Sequence, residues 1–90
     1  MTKADIIKDV SKATGVEKVI VQQVVESFME NVKGALTHKE NVYLRGFGTF
    51  LIKRRAQKLA RNISKNTTVI IPAHDIPAFK PAKIFAQSVK

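Results

Sequence analysis

The sequence predicts an α+β fold, a neutral helical scaffold followed by a long basic β-hairpin, and three observations carry that reading. Residues 1–40 place apolar side chains at helical spacing, and their six cations (Lys3, Lys8, Lys12, Lys18, Lys33, Lys39) balance six acids (Asp5, Asp9, Glu17, Glu26, Glu30, Glu40). Residues 41–90 hold ten cations against one acid, Asp75, so ten minus one accounts for the whole formal net charge of +9. The acid-free stretch from Asn41 to His74 reads as a glycine-punctuated strand, a cationic middle, an Asn-rich turn and a β-branched return strand. A basic hairpin cannot form a core of its own. It reads as a limb that grips something anionic while the rest of the chain holds it in place.

The first element is a helix. Thr2 is a good N-cap, and Asp5 stands where a capping-box partner reaches back. Ile6, Ile7, Val10 and Ala13 follow at helical spacing, with Lys8, Asp9 and Lys12 on the other side. Gly15 stops the helix, since it takes the left-handed conformation at no steric cost.

A second helix is predicted from near Glu17 to about Thr37. Val21, Val25, Phe28, Val32 and Leu36 make one apolar stripe, which Ile20, Val24 and Met29 broaden. One small core needs a single stripe. The excess points to a second buried surface, most simply another copy of the chain; the alternative is that the hairpin base and the C-terminal segment cover both sides. The β-branched residues between Val16 and Val25 lower helix propensity and leave a strand as the alternative for 17–25. The apolar spacing and the charges of Lys18, Glu26, Glu30 and Lys33 favour helix.

Val42 and Leu44 then alternate with Tyr43 and Arg45 as a strand does, and Gly46-Phe47-Gly48 suits a tight turn or bulge. Thr49 to Lys58 reads as a second strand, apolar at Phe50-Leu51-Ile52 and cationic beyond. Alternation puts Lys53 and Arg55 on one face and Arg54 and Lys58 on the other, so this part leaves the core. Residues 61–66 read as the tip and Thr67 to Ile71 as the return strand. Pro72 and Pro77 lack amide donors, which makes the return an edge or irregular where they fall. Ile76, Ala78 and Phe79 re-enter the core, and Pro81 suits the first turn of a short last helix with Ile84, Phe85 and Val89 on its apolar side. The expected organisation is one domain, 1–90, with a helical dimerisation part (1–40), a sheet and arm (41–76) and a C-terminal helix (77–90).

Several classes are excluded. With no cysteine there are no disulfides, thiolate metal sites or cysteine catalysis. The polar N-terminus carries no apolar signal region, so export is not expected, and no apolar run approaches membrane-spanning length. His38 and His74 are single and far apart in sequence, which argues against a metal site. Gly46-Phe47-Gly48 lacks the Gly-Lys-Ser/Thr ending and the following helix of a phosphate loop. No serine stands with His and an acid at a telling spacing, so catalysis, cofactors and small-molecule substrates have no support. Phe47, Phe50, Phe79 and Phe85 fall within apolar clusters and read as core rather than as base-stacking platforms.

Arg45-Gly46-Phe47-Gly48-Thr49-Phe50, Arg55-Ala56, Arg61-Asn62, Ile71-Pro72-Ala73 and Pro77-Ala78-Phe79-Lys80-Pro81-Ala82-Lys83 resemble the bacterial HU/IHF family of histone-like DNA-bending proteins, and most closely its HU members. The resemblance runs over the whole chain. It implies an intertwined helical dimer whose two protruding β-ribbon arms reach around a duplex along the minor groove. It also implies a wedge at each arm tip that kinks the DNA. That position is Ile63, where the family usually has proline directly after Arg-Asn.

The expected phosphate contacts are Lys53, Arg54, Arg55, Lys58, Arg61 and Lys65 on the acid-free arm, and Lys3, Arg45, Lys80 and Lys83 with Gly46 and Gly48 on the body, where Lys3, Lys80 and Lys83 lie near predicted helix starts whose amide donors add to phosphate binding. Arg61 and Asn62 are the expected base-edge contacts, which in the minor groove separate little beyond A·T from G·C. The expected partner is double-stranded DNA with little sequence preference and a bias for flexible or distorted duplexes, bound by a homodimer in the bacterial cytoplasm at the nucleoid. A heterodimer with a paralogue, a site-specific member of the same family, and a ribosomal or other RNA-binding protein with a basic hairpin extension are the alternatives. The apolar Ile63 at the tip counts against the last, because an RNA-threading extension is more often cationic or Gly-rich there.

Overall fold

A computed structural model of the chain describes residues 1–62 and 67–90, with the Asn62 side chain outside the description. The chain divides into two compact units, Met1–Gly34 and Ala35–Lys90.

In the first unit, helix α1 (Lys3–Thr14) begins in the expected capping box. The Asp5 amide donates to Thr2 Oγ1 (3.3 Å), and the Thr2 amide donates to Asp5 Oδ2 (2.9 Å). Gly15 closes it in the left-handed conformation (φ 76°), with its amide donating to the Ser11 carbonyl at 2.9 Å. Helix α2 (Lys18–Thr37) follows, so periodicity overrides the β-branched composition of its first half. Of the apolar side chains in this unit only Ile7 and Val21 are buried, at 8% and 4% exposure. Ile6, Val10, Val19, Ile20, Val24, Phe28 and Met29 stay exposed in the single chain.

The second unit starts in the last turn of α2. The Glu40 amide donates to the Ala35 carbonyl (2.9 Å) and the Lys39 amide to the Leu36 carbonyl (3.0 Å), the bond pair of a Schellman motif. Its left-handed residue is Lys39, at φ 63°, where glycine is usual. Strands β1 (Val42–Leu44), β2 (Gly48–Arg55) and β5 (His74–Pro81) form an antiparallel sheet in the order β1-β2-β5. Strands β3 (Lys58–Asn62) and β4 (Thr67–Ile71) form a separate antiparallel pair. The predicted strand from Thr49 to Lys58 therefore ends at Arg55, and Lys58 opens the next one. Pro72 falls in the break between β4 and β5, and Pro77 lies on β5, an edge strand, where a missing amide donor is tolerated.

Leu44 accepts a 3.0 Å bond from the Phe47 amide across a β-turn whose third residue, Gly46, has φ 80° as a type II turn requires. The turn delivers Phe47 to an aromatic cluster: its ring centroid lies 5.1 Å from Phe79 and 5.4 Å from Phe85, and Phe50 lies 4.9 Å from Phe79. The four phenylalanines read as core do pack together, but only Phe50 and Phe85 are partly buried, while Phe47 and Phe79 stay exposed in the single chain. Gly48 is buried beneath them, and a Cβ there would meet Phe79 Cζ at 2.5 Å and the Lys80 carbonyl oxygen at 2.6 Å.

The C-terminal helix expected from residue 77 is shorter. Residues 77–81 complete β5, and α3 runs Lys83–Ser88. Pro81 is the last strand residue, paired with Gly48, and not part of the helix. The cause is the next residue: the Ala82 amide donates to the Phe47 carbonyl at 2.9 Å, which holds the chain extended up to that point. Of the three apolar side chains assigned to that helix, only Phe85 is partly buried; Ile84 and Val89 are exposed.

Candidate nucleic-acid interface

The interface begins where β2 and β5 outrun the aromatic cluster. Their last rungs pair Lys53 with Ile76, Arg54 with Asp75 and Arg55 with His74. Side chains alternate, so Lys53 and Arg55 share one face and Arg54 shares the other with Asp75. Arg54 Nη1 lies 3.1 Å from Asp75 Oδ1, and Lys39 Nζ lies 2.9 Å from Asp75 Oδ2. The Lys39 hydrogen bond, with that of Arg54 behind it, holds the Asp75 carboxyl below the usual aspartate range. Arg54, expected as a phosphate contact, thus already faces a carboxylate.

Beyond Arg55 the ribbon has a joint. Ala56 and Gln57 on one strand and Pro72 and Ala73 on the other lie outside the ladders. The ladder resumes with Lys58 opposite Ile71, and Arg55, Lys58 and His74 line one concavity over the joint. Simple alternation assigns Lys58 to the Arg54 face; the break in the strand resets that alternation and brings Lys58 to Arg55. Further out, Leu59 pairs with Ile70 and Arg61 with Thr68. Leu59 and Ile70 are 66% and 60% exposed, a cross-strand apolar pair in a segment that its cations alone define in the sequence. Arg61 and Asn62, expected at the tip, are the last two residues of β3. Ile63 and Lys65, the expected wedge and tip cation, lie outside the described residues, as does the rest of the predicted tip (residues 64 and 66).

The body of the second unit carries another basic surface. Arg45 and Gly46 of the β-turn, Thr49, Lys80 and Lys83 line one groove, so three of the expected body cations share it. Gly48 lines the same groove; it is buried there, and its lack of a side chain lets Phe79 and the Lys80 backbone pack against it. Lys80 lies on β5 and not at a helix start, while Lys83 is the first residue of α3. In the first unit Lys3 Nζ is 2.9 Å from Glu26 Oε1, and this hydrogen bond, ahead of that from Gln22, lowers the Glu26 carboxyl below its usual value. The α1 start also holds the Asp5 carboxylate on the Thr2 amide, so an anion there meets an acid already in place.

Sequence reasoning missed the pairing of Asp75, the joint, and the place of His74 on it. The signal for the first was present: Asp75 is the single acid in a basic half, and a lone acid among cations finds partners. Among the described residues no three His, Asp or Glu side chains stand together as a metal site, and no helix is long and apolar enough to cross a membrane.

A sheet that extends into an exposed ribbon with cations on both faces, above a second basic groove, defines a β-ribbon protein suited to a polyanion. The profile described as bacterial DNA-binding protein matches residues 1–90, and the chain belongs to that family of HU and IHF proteins. DNA-binding protein HU of Thermus thermophilus is 37% identical over 90 residues, spanning 100% of this chain and 93% of its own length. The SPbeta prophage-derived DNA-binding protein HU 2 of Bacillus subtilis is 38% identical over 90 residues, with coverage of 100% and 98%. Among solved structures, a chain of the Anabaena HU–DNA cocrystal superposes with a TM-score of 0.94 at 30% identity, covering 99% of this chain and 97% of that one. The α+β fold is the expected one.

Proposed function

We propose that the chain is an architectural protein of the bacterial nucleoid, which binds double-stranded DNA through the minor groove as a homodimer and bends it with little regard to sequence. The observation that carries this reading is the ribbon itself: Lys53, Arg55, Lys58 and Arg61 follow one another along strands β2 and β3, in a chain that superposes on HU taken from a DNA complex. Phosphate neutralisation by these side chains supplies affinity and steep salt dependence. Arg61 and Asn62 meet base edges, where the minor groove offers too few distinct donors and acceptors to select a sequence. Ile63 is the wedge that unstacks a base step. Arg45, Lys80 and Lys83 take phosphates on the body, beside Gly46. The exposed Ile6, Val10, Ile20, Val24, Phe28 and Met29 support a second copy of the chain as partner, since a single chain leaves them in water. Nothing in this mechanism calls for catalysis or a cofactor.

Competition binding tests it. Against a labelled random duplex, nicked or mismatched DNA is expected to compete better than intact DNA of the same length, and selected sequences no better than random ones. A preference for structured RNA would replace the reading with the RNA-binding alternative. Light scattering of the free chain is expected to give the dimer mass.

A further inference from the structure

His74 is the one titratable side chain on the ribbon's joint that the phosphate contacts above do not use. It is the cross-strand partner of Arg55 on the last rung of the β2–β5 ladder, which puts the two side chains on one face of the sheet. Lys58, the first residue beyond the joint, lines the same concavity, and Ile71 and Ile76 form its apolar side. The imidazole is oriented: Nδ1 lies 3.0 Å from the Pro72 carbonyl oxygen. A carbonyl only accepts, so Nδ1 carries the proton. Nε2 is then the variable atom, an acceptor in the neutral ring and a donor in the imidazolium.

The charges on this face are of one sign. Arg55 stands across the strand, Lys53 two residues before it, and Lys58 beyond the joint. Asp75 is adjacent in sequence but points to the opposite face, where Arg54 and Lys39 hold it. An anion seated in the concavity is surrounded by these cations and accepts a hydrogen bond from Nε2 when that atom carries a proton.

We infer that the joint concavity seats one backbone phosphate of bound DNA between Arg55, Lys58 and His74, and that the His74 ring takes up a proton as the phosphate enters. This rests on the DNA-binding reading and adds to it a contact at His74 and a coupling of affinity to pH. Imidazole changes charge between about pH 5 and 8, so the coupling falls in the range a cell traverses. By linkage, each proton taken up changes affinity by up to about tenfold per pH unit.

Fluorescence anisotropy of a labelled duplex at constant ionic strength, at about pH 6 and about pH 8, tests the inference on the wild type, His74→Gln, His74→Arg and, for the other imidazole, His38→Gln. The wild type and His38→Gln are expected to bind several-fold more tightly at the lower pH. His74→Gln loses most of that ratio, and its salt slope at the lower pH falls by about 0.9 for each seat removed. His74→Arg carries a fixed charge, so it binds at the higher pH about as tightly as the wild type does at the lower. If His74→Gln keeps the wild-type pH ratio, or His74→Arg remains as pH-dependent as the wild type, the inference is overturned while DNA binding stands. If the wild type binds no duplex at either pH, the functional reading itself fails.

Discussion

Arg54 and Asp75 face each other across β2 and β5, with Arg54 Nη1 3.1 Å from Asp75 Oδ1, so the single acid of the basic half is spent at the root of the arm. Lys39 holds the other carboxylate oxygen. A phosphate approaching Arg54 must displace this carboxylate. Asp75→Asn removes the competitor and adds one positive charge per protomer. Duplex affinity is expected to rise at low salt, and the slope of log K against log salt to steepen by up to about 0.9 per protomer. A salt titration of variant and wild type checks it, and an unchanged slope would show that Arg54 does not reach DNA.

The same carboxylate links stability to pH. Its folded value lies below the ordinary aspartate value of about 3.9. A depressed group contributes stability that is present above its unfolded value and is lost as pH falls through the folded one. The melting-temperature difference between wild type and Asp75→Asn is therefore expected to be constant from about pH 5 to 8 and to close in acid, below about pH 4. Calorimetry across that range reads it directly. A difference that grows toward acid would mean the bridge does not form.

Two glycines separate backbone strain from crowding. Gly15 has φ 76° and open space around it, so Gly15→Ala is expected to cost about 1–2 kcal/mol of conformational energy alone. Asn tolerates the left-handed region, so Gly15→Asn should recover part of that. Gly48→Ala places a methyl against the Phe79 ring and the Lys80 backbone, for an expected cost of about 1–3 kcal/mol, and Asn there should be worse than Ala. Thermal unfolding of the four variants gives the ordering.

What the sequence revealed divides along the line between local and register-dependent structure. The Thr2–Asp5 box, the Gly15 stop and the Phe47–Phe79–Phe85 cluster were legible because capping chemistry, glycine conformation and apolar pattern act within a few residues or through a shared core. The joint was not. Ala56-Gln57 carries no breaker, and only Pro72 on the other strand marks it, so its position follows from register that single-sequence reading lacks. The bond of Asp75 to Arg54 depends on the same register. Lys39 was hidden for another reason: lysine gives no hint of left-handed backbone, which the Schellman closure of α2 imposes. The start of α3 moved past Pro81 because the Ala82–Phe47 bond outweighs proline's preference for a first helical turn.

Phosphate binding and the wedge should separate by mutation. Replacing Arg55 and Lys58 by Ala is expected to flatten the salt slope by about 0.9 for each phosphate no longer neutralised, and to weaken binding to all sequences alike. Ile63→Ala should leave that slope in place and reduce the bend. Ile63→Pro, which restores the residue usual in the family, should bend at least as well as wild type. An Ile63→Ala variant with the wild-type bend would rule out Ile63 as the wedge.

The ribbon is expected to bend DNA and not merely to coat it. Energy transfer between dyes at the two ends of a short duplex, followed as protein is added, tests that most directly. The predicted result is a rise in transfer that saturates with binding, reaches the same limit on unrelated sequences, and is diminished for Ile63→Ala. Saturated binding with no change in end-to-end distance would contradict it.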